Sequence, residues 1–81
     1  MGLGLCIVVR SRSDYRVILG AAIREKRKHA GLSQEKLAEM ADLHPNYMSR
    51  VERGEEQVSL AALRRIARAL KVPVAELVKD I

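Results

Sequence analysis

Phenylalanine and tryptophan are absent from this chain, and tyrosine occurs only at Tyr15 and Tyr47. Any core must therefore be built from Leu, Ile, Val, Met and Ala. The same lack argues against modules that stack unpaired bases on aromatic platforms. A single cysteine, Cys6, excludes an internal disulfide and suits a reducing, cytoplasmic setting. No apolar run approaches the ~20 residues of a membrane span, so no membrane association is expected. Leu3 to Val9 is too short, and lacks the basic leader, for a secretory signal. His29, His44 and Cys6 have no zinc-site spacing, and no Ser-His or Cys-His neighbourhood marks a nucleophile. Glu55 and Glu56 are neighbouring loop carboxylates, read as solvated rather than as an acid/base pair. No enzyme, cofactor or metal site is expected.

What is present is a small aliphatic domain. Hydrophobic residues make up 48% of 81, enough for one globular unit. The net charge of +5 suggests an anionic partner. It is unevenly placed: residues 32–81 carry eight basic and eight acidic side chains, whereas residues 1–31 carry seven basic and two acidic.

The pattern divides into a tail over residues 1–14 and an all-α, five-helix domain over residues 15–81. In the tail, Leu3 to Val9 is compatible with a short strand, and Ser13 or Asp14 can cap the next helix. The first helix is expected over Tyr15 to Ala30, with Leu19, Ile23 and Arg27 on one face and Gly31 as C-cap. The second spans about Gln34 to Ala41. Ser33 is its N-cap, Glu35 suits its dipole, and Leu37, Ala38 and Ala41 face inward. The third starts at Pro45, where the missing N–H costs nothing, and ends at the C-cap Gly54, with Met48 and Val51 inward. The fourth runs from about Leu60 to Leu70 behind the cap Ser59, with a stripe of Leu60, Leu63, Ile66, Ala67 and Leu70. The fifth starts near Pro73 and carries Val74, Leu77, Val78 and Ile81 at helical spacing.

The second and third helices have the features of a helix-turn-helix. Ala38 is small where two helices approach closely, and Leu43 anchors the turn. Met48 and Val51 support the second helix from beneath, and Pro45 starts it abruptly so that its first turn projects outward. His44, Pro45, Asn46, Ser49 and Arg50 are then exposed, as a helix entering a major groove requires.

In these blocks the chain resembles the Cro and lambda-repressor-type family, also called the xenobiotic response element family. The matching stretches are Leu19-Gly20-Ala21-Ala22-Ile23-Arg24, Arg27, Gly31-Leu32-Ser33-Gln34-Glu35, Tyr47-Met48-Ser49-Arg50-Val51-Glu52-Arg53-Gly54 and Leu63-Arg64-Arg65-Ile66-Ala67. The resemblance implies sequence-specific binding to double-stranded DNA. It places Asn46 and Arg50 at base edges, with Ser49 between them and His44 and Pro45 beside them. It places Gln34, Arg53 and Arg27 at phosphates. Arg27 and Glu52 match a pair that is often a buried salt bridge in the family. Two positions depart from its pattern: Asp42 stands where glycine is common in the turn, which predicts slight strain, and Glu55 and Glu56 are expected to point away from the DNA.

The resemblance also implies a homodimer through the C-terminal stripe of Val74, Leu77, Val78 and Ile81, with recognition helices ~34 Å apart on a palindromic site. Three readings of the tail stay open. Arg10, Arg12 and Arg16 bind phosphate or a groove, the tail is a mobile basic arm, or Leu3 to Val9 pairs with a second subunit. The expected activity is that of a repressor or autoregulatory controller. The alternative is an antitoxin or bridging module that uses the fold to bind another protein.

Overall fold

In the computed structural model, the backbone is described for residues 2–81 and the side chains for residues 15–81. Five helices occur in order: α1 (Gly2–His29), α2 (Gln34–Met40), α3 (Pro45–Glu52), α4 (Leu60–Leu70) and α5 (Val74–Val78). The all-α expectation holds from α1 to α5, but α1 starts earlier than Tyr15. Leu3 to Val9, compatible with a short strand, is helical instead, and the helix runs through Ser13 and Asp14 rather than being capped there. The sequence contains no proline before Pro45 and no glycine between Gly4 and Gly20, so nothing breaks the hydrogen-bond ladder. The β-branched residues Ile7 to Val9 lower helix propensity by only a few tenths of a kcal/mol each. The readings that depend on the side chains of Cys6, Arg10 and Arg12 lie outside the described residues.

The side chains of Leu19, Ile23, Leu37, Ala38, Ala41, Met48, Val51, Leu63, Ile66, Ala67, Leu70 and Leu77 form one core. Each large member contributes about 1.5–3 kcal/mol by leaving water. The expected inner faces of α1, α2 and α3 are therefore correct. Leu60 is not part of this core: it is 68% exposed. It occupies the first position of α4, whereas Ala62, two residues on, is buried.

Four of the helices end in one way. After α1, Gly31 N–H donates to the Lys28 carbonyl and Leu32 N–H to the Arg27 carbonyl. The same paired bonds run from Asp42 and Leu43 to Glu39 and Ala38, from Gly54 and Glu55 to Val51 and Arg50, and from Lys71 and Val72 to Arg68 and Ala67. These are Schellman closures, each with a left-handed residue that reverses the chain. Gly31 (φ 74°) and Gly54 (φ 76°) serve as expected, and Asp42 (φ 57°) adopts the strained turn anticipated for it. Lys71 (φ 61°) does the same job without any signal in its residue type.

Candidate nucleic-acid interface

The α2–turn–α3 unit is held at both starts by side-chain caps. Ser33 Oγ accepts from Lys36 N–H at 3.0 Å. At α3 the cap is His44, whose Nδ1 accepts from Asn46 N–H at 3.1 Å. That bond needs the imidazole proton on Nε2. Pro45 occupies the first helical position, as expected. Met48 and Val51 are fully enclosed beneath the helix, so the other face is fixed outward. His44, Pro45, Asn46 and Arg50 are exposed there, and Ser49 is half-exposed.

A buried polar network connects α3 to the first two helices. Arg27 Nε donates to Glu52 Oε2 at 2.7 Å and Arg27 Nη2 to Glu52 Oε1 at 3.1 Å. Arg27 Nη1 donates to the Leu32 carbonyl at 2.7 Å, and Gln34 Nε2 to Glu52 Oε1 at 3.0 Å. The side chains of Arg27 and Glu52 are only 11% and 2% exposed. The expected brace is therefore present, with Gln34 as a third member that the sequence pattern does not indicate. The geometry corrects one assignment: Arg27 is turned inward with all three nitrogens engaged, so it does not present its charge to phosphate. Gln34 still has the second N–H of its amide, and its main-chain N–H lies at the open start of α2, where no helical partner exists.

Glu55 and Glu56, expected to point away from the DNA, instead pair with Arg53 and Arg50. Glu56 Oε2 accepts from Arg50 Nε at 2.8 Å. Glu55 grips Arg53 through Nε and Nη2, both at 3.1 Å, while Arg53 Nη1 donates to Ser49 Oγ at 2.6 Å. The cause is the reversal at Gly54. Closing Glu55 N–H onto the Arg50 carbonyl folds the loop back along the last turn of α3. The hydrogen bond from Arg53 holds the Glu55 carboxyl below its usual range, and the same bond raises Arg53 above its own.

The C-terminal stripe divides into two parts. Leu77 is 1% exposed and belongs to the core, so it offers no surface to a second subunit. Val74 and Val78 are half-buried, and Ile81 is 53% exposed. Among the described residues, no group of His, Cys, Asp and Glu is placed to hold a metal ion, and no helix is long and apolar enough to cross a membrane.

A short helix with a buried underside and an exposed polar face, set across a second capped helix, is the geometry of a DNA-binding helix-turn-helix. Residues 23–77 match the family described as Helix-turn-helix, and the chain belongs to that family. The control protein C.SmaI of Serratia marcescens is 42% identical over 79% of this chain and 76% of its own length. The control protein C.BamHI of Bacillus amyloliquefaciens is 39% identical, over 80% of this chain and 82% of its own. Among solved structures, the restriction-modification controller protein C.AhdI from Aeromonas hydrophila superposes with a TM-score of 0.74 at 43% identity, covering 75% of this chain and 92% of the other. The protein is thus a DNA-binding transcriptional regulator, of a family of regulators rather than enzymes.

Proposed function

We propose that the protein is a homodimeric controller that occupies a palindromic operator, reading it with α3 in the major groove. The observation that carries this reading is the braced, outward-facing surface of Asn46, Ser49 and Arg50. Asn46 suits the bidentate edge of adenine, and Arg50 that of guanine. His44 and Pro45 flank them at the start of the helix. Gln34 anchors a phosphate through its amide and the open start of α2. Arg53 reaches phosphate only by exchanging Glu55 for it.

Val78 and Ile81 supply the apolar edge for a two-fold partner, with Val74 behind them. Dimerisation would place the two reading helices ~34 Å apart. The control proteins among the relatives favour a gene-control role of their kind, in which concentration and dimerisation set operator occupancy.

Arg50→Ala and Gln34→Ala separate the assigned roles. Arg50→Ala should lose about 1–3 kcal/mol of preference for one base pair per half-site. Gln34→Ala should weaken every sequence about evenly, because phosphate contacts do not carry sequence information. Binding titrations against a panel of duplexes with single base-pair changes measure both effects. Unchanged base preference in Arg50→Ala contradicts the assignment.

A further inference from the structure

We propose that Glu56 is a positioning residue for base reading: it holds Arg50 by one nitrogen and leaves the guanidinium fork free to engage guanine. This rests on the assignment of Arg50 to a base edge. A free arginine side chain samples many rotamers and loses that freedom when it docks, which opposes binding. Glu56 takes only Nε, at 2.8 Å. Among the described residues, Nη1 and Nη2 of Arg50 make no hydrogen bond, and a guanidinium fork is what matches O6 and N7 of guanine.

Arg53, three residues on, shows what full sequestration looks like. Its Nε and Nη2 are taken by Glu55 and its Nη1 by Ser49. Two arginines on one face are thus treated differently by two adjacent carboxylates. Glu56 is also the better anchored of the two, with its side chain 30% exposed against 54% for Glu55. Both carboxylates reach the helix through the chain reversal at Gly54, so the support for Arg50 is built into the closure of α3.

A positioning role and a mere charge effect give different results. Loss of a negative charge near DNA strengthens binding to all sequences and steepens the salt dependence. Loss of positioning weakens the preference for one base pair.

The test uses duplexes enriched from a random pool by the full chain, together with versions carrying each single base-pair change. Affinities are measured for wild type, Glu56→Ala, Glu56→Gln, Arg50→Ala and the Glu56→Ala/Arg50→Ala pair, with circular dichroism to verify folding. Glu56→Ala should lose about 3- to 10-fold of the preference at the base pair that Arg50→Ala no longer reads, a part of what one bidentate contact supplies. Glu56→Gln should retain most of that preference, since its amide oxygen still accepts the Nε–H. The double variant should match Arg50→Ala. If Arg50→Ala loses the preference while Glu56→Ala keeps it, positioning by Glu56 is overturned and the reading role of Arg50 stands. If Arg50→Ala keeps the preference, or no sequence is enriched, both fall together.

Discussion

Glu52→Ala is expected to destabilise the protein by about 3–5 kcal/mol, the cost of leaving a buried charge without its partner. Glu52 accepts three hydrogen bonds, two from Arg27 and one from Gln34. Removing it strands a guanidinium that is 11% exposed and has only the Leu32 carbonyl left to bond. Domains of this size shift by about 4–8 °C per kcal/mol, so a thermal melt should fall by well over 10 °C on the same scaling. The pair need not add much net stability. Arg27→Met with Glu52→Leu should recover most of the loss, because an apolar pair of similar volume avoids desolvating two ions. That double variant should still bind DNA less well, since Gln34 loses the acceptor that orients its amide. A melt of Glu52→Ala within about 1 kcal/mol of wild type, below the range for a buried pair, would show that the network is not the brace described.

Gly20→Ala is expected to cost about 2 kcal/mol, although alanine is the better helix former by ~1 kcal/mol. A Cβ at Gly20 would lie 2.8 Å from the Glu52 carbonyl oxygen and closer still to that of Val51. Both are main-chain atoms in the last turn of α3, so no rotamer change relieves the overlap. The helices must separate, which loosens Leu19, Ile23 and Val51 in the core and tilts the reading helix. Gly31→Ala is the instructive comparison. Nothing lies within 4 Å of a Cβ there, and its cost comes from the left-handed φ of 74° alone, about 1 kcal/mol on general grounds. Urea denaturation of the two variants should therefore show the larger loss at Gly20. Equal or greater stability for Gly20→Ala would contradict the close contact of α1 with α3.

These two residues also mark how far the sequence is legible. The helices, their caps at Ser33 and Ser59, and the inner faces of α1 to α3 arise from local pattern, because spacing and capping act within a few residues. The Arg27–Glu52 pair is legible only through the family resemblance, since the two residues are far apart in sequence. Gln34 joined to the same carboxylate is not legible at all. Gly20 sits within a matched stretch, yet its packing against α3 is a tertiary contact with no local signature. Lys71 closes α4 in a left-handed conformation that its residue type does not advertise. Glu55 and Glu56 lie opposite to where phosphate repulsion alone would put them. The closure at Gly54 carries the loop back to α3, where Glu56 pairs with Arg50 and Glu55 with Arg53. Leu60 and the N-terminal extension of α1 show the limits of periodicity and propensity. Leu60 is exposed at the start of α4 although it falls on the apolar stripe, and a β-branched stretch is helical where no breaker intervenes.

Sequence reading by α3 and dimerisation at the C-terminal edge bear on one experiment together. Wild-type protein is used to select duplexes from a random pool, and the enriched sequences are read. The expected result is a single motif of two inverted half-sites whose centres are about one helical turn apart. Folded protein that enriches no motif, or one without two-fold symmetry, would contradict the proposed dimeric reading of an operator.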